Sequence, residues 1–418
     1  MLGITRCSVL ALLVAGLVAC SSGESQSQVP SDKHSGNEGF HQSLLTVDTH
    51  IDIPSALGTI GADFRKDGPM QVDIPKMRAG GLDAGFFIVY VSQGPVDDAG
   101  YNNAYEQAQD KFKAINRMLD NSPDDLALVT SPEQLRAVVA NGQLAVAIGV
   151  ENAYPLGRDL QHLQEFYDRG ARYISLTHFG HNHFADSSVA KGEQHGVAEP
   201  ENQGLSDTGK RLIREMNRLG IMVDVSHTSR LSTMAAVKLS QTPVIASHSS
   251  VQAVYDHPRN LSDQEIKAIA AKGGVIQAVA FDAYMRARSE ANQQAITDIR
   301  TRLDLLDAEW YKRVTETERR DFRDALADLH DQFPRATIVD FVDHIDYIVE
   351  LVGIRHVGIA TDFGGGGGIH GWDRIDQTPA VTEELRRRGY SKADIQRIWG
   401  GNLLRVWSEV EAYAKANR

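Results

Sequence analysis

From Leu44 onward the chain alternates short apolar, β-branched runs with segments of helical periodicity, eight times over. The runs are Leu44–Asp52, Ala84–Val91, Leu144–Glu151, Tyr173–His178, Ile221–His227, Pro243–His248, Val275–Phe281 and His356–Asp362. Most are apolar almost without a break, the pattern of strands buried on both faces in a parallel sheet. Helix punctuation lies between them. Ser131-Pro132-Glu133 supplies a cap and a proline in the first turn. Ser206 opens a run to Leu219 that Gly220 ends, and Ser262-Asp263-Gln264-Glu265 has the capping-box pattern before Gly273-Gly274. After Thr337, residues Ile338, Phe341, Ile345 and Ile348 recur at helical spacing. Eight β–α alternations predict an α/β fold, a (β/α)8 TIM barrel. An open doubly wound sheet is the alternative, but no glycine fingerprint follows the first strand. The charged segment from Arg286 to Arg335 reads as a helical insert between strands 7 and 8. Its simplest role is a solvated face; the sharper reading is a lid or a subunit contact.

Charge narrows the partners. Lys plus Arg number 43 against 55 Asp plus Glu, a net of −12 over 418 residues. Nucleic acid is excluded as a partner, since phosphate binding needs clustered basic side chains. The first residues, MLGITRCSVLALLVAGLVAC, have a basic n-region and an apolar h-region too short for a comfortable membrane span. Leu17-Val18-Ala19-Cys20 resembles a bacterial lipobox, in which cleavage precedes the cysteine and lipid is attached to it. The expected organisation is a signal peptide over 1–19, a Ser/Gly-rich flexible tether over 20–43 starting at lipidated Cys20, and one catalytic domain over 44–418. His34 and His41, in or beside the tether, are expected to be solvent-exposed. The protein would be held by its lipid at the bacterial cell envelope. Ser21 points to the outer membrane, facing the periplasm. Cys7 and Cys20 are the only cysteines, so the mature chain has neither a disulfide nor a thiolate ligand. Any metal must be held by His, Asp and Glu.

Those residue types fall where a barrel places its active site, at the carboxyl ends of the strands. In V-D-T-H-I-D-I-P (47–54), His50 and Asp52 are two apart and face one way along a strand. The later runs end in Glu151, His178, His227, His248 and Asp362. A single histidine at a strand end is more often structural than a ligand. Six runs of eight ending this way is harder to assign to chance, because one fold brings all the ends to one mouth. Imidazoles and carboxylates without thiols suit zinc, or manganese, cobalt or iron. Two metals about 3.5–4 Å apart need a bridging carboxylate, and Glu151 is the natural candidate. A metal-bridging hydroxide could then attack a carbonyl, with His178 stabilising the oxyanion and Asp362 moving the proton to a leaving amine.

The sequence resembles the membrane dipeptidase (renal dipeptidase) family of metallopeptidases, among the metal-dependent amidohydrolase-type barrels. The resemblance rests on D-T-H-I-D-I-P (48–54), G-V-E-N (149–152), L-T-H (176–178), D-V-S-H (224–227), S-H-S-S (247–250), H-P-R-N (257–260), T-D-F (361–363) and W-G-G-N (399–402). It implies two Zn2+ ions: one held by His50, Asp52 and Glu151, the other by Glu151, His227 and His248. It also implies that His178 contacts the substrate, that Arg259 binds a dipeptide's free α-carboxylate, and that Asp362 transfers the proton. The implied activity is hydrolysis of free dipeptides, including some with a C-terminal D-residue; a homodimer is a possible assembly. The chain departs from the family at Gly364, where aspartate is common, and at Tyr154, where histidine is common. His181 and His183 add imidazoles close to His178 and read as loop residues near the pocket. Gly364–Gly368 is no phosphate loop, having no Lys-Ser/Thr after it; it would let backbone pass close to the site. Two rivals stand beside this reading: a hydrolase of N-acyl amino acids or lactams, and a non-catalytic peptide-binding lipoprotein.

Overall fold

A computed structural model describes residues 39–189, 201–305, 316–330 and 332–417. The predicted signal peptide, Cys20 and most of the tether therefore lie outside the described residues. Nine strands form one parallel sheet: β1 (Val47–Asp52), β2 (Ala84–Tyr90), β3 (Leu126–Leu128), β4 (Leu144–Glu151), β5 (Ala171–Ser175), β6 (Met222–Asp224), β7 (Ile245–Ala246), β8 (Val275–Val279) and β9 (Val357–Ala360). Eight of them run in the order β1-β2-β4-β5-β6-β7-β8-β9, and β3 pairs with β4 off this path. Backbone bonds from Asp52 to Phe363 (2.8 Å) and from Asp362 to His50 (3.0 Å) join the last strand's end to the first and close the ring. The predicted α/β barrel is thus the observed fold. β3 is the one strand that the apolar pattern did not predict.

The strands of the ring are almost wholly buried because helices cover the outside and side chains fill the inside; every residue of β4 is buried. Val47, Phe86, Ile88, Ala145, Ala147, Tyr173, Met222, Ile245 and Val275 pack together inside the barrel. The helix Asn402–Ala416 plugs the amino end of this core with Leu403, Leu404 and Trp407, the last within 5.4 Å of the Phe86 ring. Caps form where the sequence places them. Ser206 accepts from Gly209 N ahead of the helix Asp207–Leu219, whose C-cap Gly220 is left-handed. Ser262 with Glu265, and Thr337 with Asp340, make capping boxes. The segment between β8 and β9 contains the helices Glu290–Arg302 and Glu316–His330. Among the described residues no helix is long and apolar enough to cross a membrane.

The start of the described chain corrects one expectation. His41 is buried, not solvent-exposed. Its Nδ1 lies 2.6 Å from Thr382 Oγ1 and its ring meets Trp399 edge-on at 5.5 Å. The adjoining chain is fixed as well, since Leu45 N and O both bond to the Gln396 amide. These contacts lie at the amino end of the barrel.

Candidate metal centre and active site

The strands stop two or three residues before most of the polar side chains that matter, so those side chains sit on the turns that leave the barrel. His227 (φ 67°) and Asp362 (φ 56°) take left-handed backbone there. That conformation is strained for a side-chain-bearing residue and is concentrated at functional sites. β1 has a register irregularity between Asp48 and Ile51, next to the residue it aims inward.

The turns converge. His50 Nε2 lies 3.3 Å from Asp52 Oδ2 and 3.6 Å from Glu151 Oε2. The other oxygen of the same carboxylate, Oε1, lies 3.0 Å from His227 Nε2 and 3.2 Å from His248 Nε2. Those two imidazole nitrogens are 2.9 Å apart. His178 Nε2 stands 4.0 Å from Glu151 Oε1. Asp362, His50 and Asp52 each offer a ligand atom within 4.8 Å of the others. His50, Asp52, Glu151, His178, His227, His248 and Asp362 are therefore neighbours at one mouth, although they span more than 300 positions of the chain.

The electrostatics are those of a buried, crowded cluster. Burial alone would raise Glu151, but the charges of His178 and His50 and the imidazoles of His227 and His248 set against it hold it well below the carboxylate range. Burial pushes Asp362 well above that range; His50 opposes this, while the charges of Asp52 and Glu151 add to it. Burial keeps His227 and His248 well below the ordinary imidazole value. In His50 the burial effect is outweighed by Glu151 and Asp52. The donor set fits a divalent cation. Imidazole nitrogens and carboxylate oxygens face one another at contact distance, and His50 Nε2 is buried with no hydrogen-bond partner among the described residues. Lone pairs so placed are satisfied by a shared positive ion.

Arg259 lies beside this cluster and is buried, with no carboxylate in ion-pair contact among the described residues. Its Nη1 donates to Ser249 Oγ (2.9 Å), its Nη2 to the His248 carbonyl (2.8 Å), and its guanidinium carbon is 5.6 Å from the Tyr284 ring centre.

The remaining expectations concern the loops. His183 lies against Tyr101 and Phe184, and His181 Nδ1 accepts from Ser187 N at 3.0 Å, so both belong to loop packing. The Tyr154 hydroxyl donates to the Pro95 carbonyl. The glycine run does bring backbone close: a Cβ on Gly365 would stand 2.3 Å from Asp362 Oδ1 and 2.4 Å from Asp52 Oδ2. Several supporting residues carried no sequence signal of their own. The Tyr90 ring, at the end of β2, lies 4.7 Å from that of His178. Tyr173 and Ser247 touch the His50 and His248 imidazoles from behind, and Asp224 holds Ser247; Asp224 and Ser247 sit inside the quoted D-V-S-H and S-H-S-S motifs but are identified only by what they touch.

The chain is similar to known proteins over most of its length. Residues 37–418 match the profile described as Membrane dipeptidase (Peptidase family M19). The chain is 31% identical over 354 residues to Dipeptidase aclJ of Aspergillus oryzae, covering 83% of this chain and 71% of that protein. The probable dipeptidase PvdM from Pseudomonas aeruginosa is similar in structure, with a TM-score of 0.79 and 35% identity over 91% of this chain and 98% of that one. A metallopeptidase from Rhodobacter sphaeroides, liganded with a phosphinate mimic of L-Ala-D-Ala, shares the fold, with a TM-score of 0.68 and 20% identity over 88% of this chain and 99% of that one.

Proposed function

Because the chain belongs to the membrane dipeptidase family of metallopeptidases, we propose that it hydrolyses the amide bond of free dipeptides at a centre of two zinc ions. One observation carries this reading: Glu151 turns one carboxylate oxygen to His50 and the other to His227 and His248. A carboxylate aimed at two imidazole groups at once is the arrangement a bridging ligand needs. His50, Asp52 and Glu151 would hold one ion; Glu151, His227 and His248 the other. When bound, the pair supplies Lewis acidity toward the scissile carbonyl and an activated water.

The protein's own groups do the rest. His178 is partly open to the mouth, with 18% of its side chain exposed. It is placed to donate to the oxygen that becomes negative as the amide carbon turns tetrahedral. Asp362 accepts the proton of the attacking water and returns it to the leaving amine. Among the described residues Arg259 is a buried cation with no anion in ion-pair contact, and burying such a charge is costly unless it is paired. A dipeptide's terminal carboxylate supplies the missing partner in a forked geometry, which restricts substrates to those whose second residue is C-terminal. The phosphinate ligand of the Rhodobacter relative, a mimic of a dipeptide ending in D-Ala, supports tolerance of a C-terminal D-residue here. A lipid on Cys20, holding the enzyme at the outer membrane on its periplasmic side, completes the proposal.

The test is a dipeptide-panel assay with metal analysis on protein lacking residues 1–20. About two metals per chain, loss of activity on chelation and no cleavage of N- and C-blocked tripeptides are expected. Asp362→Asn should retain its metal and lose kcat by about 100-fold or more, the scale of positioned proton transfer. A metal-replete protein that turns over no dipeptide would overturn the reading.

A further inference from the structure

Each of two imidazoles in the cluster is held from behind by a hydrogen-bond chain whose direction can be read from its ends. The Asp224 carboxylate is buried and takes three donors. Oδ1 accepts from Ser226 N and Ser247 N, both at 2.9 Å, and Oδ2 accepts from Ser247 Oγ at 2.6 Å. A serine hydroxyl has one proton. With that proton given to Asp224, Ser247 Oγ can only accept from His248 Nδ1, 2.7 Å away. His248 then carries its proton on Nδ1, and the lone pair of Nε2 faces Glu151 and His227. The second chain has the same sense. The Tyr173 hydroxyl, at the inner end of the barrel core, donates to the Thr49 carbonyl at 2.9 Å. It therefore accepts from His50 Nδ1 at 3.0 Å, leaving His50 Nε2 as the nitrogen that faces Asp52 and Glu151.

We propose that Asp224, Ser247 and Tyr173 are positioning residues that fix the tautomers of His248 and His50, one chain for each metal position. This rests on the two-metal reading above. It adds that the two positions are backed by different groups, one by a carboxylate–hydroxyl pair and the other by a phenol–carbonyl pair, which meet where Ser247 lies against Tyr173. Partners behind a ligating imidazole of this kind set its tautomer and ring orientation.

Asp224→Asn reverses the first chain with almost no change of shape. The two backbone N–H groups keep the amide oxygen on their side, so the amide NH2 faces Ser247 Oγ. Ser247 then donates to His248 Nδ1, and the His248 proton moves to Nε2, pointing at the metal position. The experiment measures nitrogen-15 chemical shifts of the histidines in metal-free protein, and zinc affinity by competition with a chromophoric chelator. In the wild type both His50 and His248 should carry a proton on Nδ1. In Asp224→Asn only His248 should switch, and one of the two zinc ions should bind about 10–100-fold more weakly. Tyr173→Phe should release only His50 and weaken only the other ion. Ser247→Ala, which conserves the fold's volume closely, should leave His248 a tautomer mixture and carries the test if Asp224→Asn does not fold. Unchanged tautomers and affinities in the folded variants would overturn the inference. Failure of the wild-type protein to bind zinc would instead overturn the two-metal reading, while the tautomers of the metal-free protein would still report on the chains.

Discussion

Gly365 shows how much a missing side chain contributes. It packs where a Cβ would collide with both Asp362 and Asp52, and its neighbour Gly364 combines φ +85° with a Cβ position 2.3 Å from the Asp52 carbonyl. Gln71 pins the run from outside, accepting from Gly364 N (2.9 Å) and donating to the Gly367 carbonyl (3.0 Å). Gly365→Ala should displace both carboxylates. Its kcat/KM is expected to fall by about 100-fold, the cost of an ångström-scale misplacement, while its melting temperature moves little. Steady-state kinetics beside a thermal melt would check both. Arg259→Met should raise KM for free dipeptides by about 10–100-fold, the worth of a charge-assisted hydrogen bond. It should change kcat far less, and a C-terminally amidated substrate should show no such difference between variant and wild type. Equal losses on both substrates would mean that Arg259 does not read the carboxylate.

At the scale of elements, the helix Ile338–Val352 is the clearest case of sequence becoming structure. Phe341, Ile345 and Ile348 face the core, and the Thr337 side chain accepts from Asp340 N while Asp340 bonds back to the cap. Thr337→Ala should cost about 1 kcal/mol, the usual worth of an N-cap. Equilibrium urea unfolding would measure it, with activity at the mouth intact. The same kind of local pattern made the eight barrel strands and the caps at Ser131, Ser206 and Ser262 legible before any coordinates. Legibility ended where non-local contacts decide. Leu126–Leu128 is a three-residue strand, too short to carry a period. The strands stop short of His178, His227, His248 and Asp362 because those residues sit on turns shaped by the far side of the barrel. His41 is buried by Thr382, 341 positions away, a contact no window of neighbouring residues can announce. The ligand-type side chains themselves were legible as residue types at strand ends. Tyr173 and Ser247 were not, because a tyrosine or serine acquires its meaning only from what lies across the barrel.

The molecule as a whole carries buried imidazoles outside the site, and these make its stability depend on pH. His344 Nδ1 accepts from Val251 N at 3.0 Å, its Nε2 is buried without a hydrogen-bond partner, and burial lowers its pKa to about 4. His183 is likewise lowered to about 4 by burial. Between that value and the ordinary 6.5 the unfolded chain binds protons that the native chain refuses. The contribution is therefore complete above pH 6.5 and is lost as pH falls toward 4. In chelated protein, His344→Gln should flatten the fall between about pH 7 and about pH 5 by on the order of 1–2 kcal/mol. Urea midpoints at the two pH values would show it, and parallel slopes for variant and wild type would refute it. Acid sensitivity in this protein then has two separable origins, the cluster at the mouth and the histidines within the walls. The seating of residues 39–45 has a consequence of its own. The chain enters at the plugged floor of the barrel, a full strand length behind the opening where substrate arrives. Whatever lies upstream is therefore joined at the end opposite the opening. With lipid on Cys20, as proposed, the point of attachment would leave the way in unobstructed for small solutes.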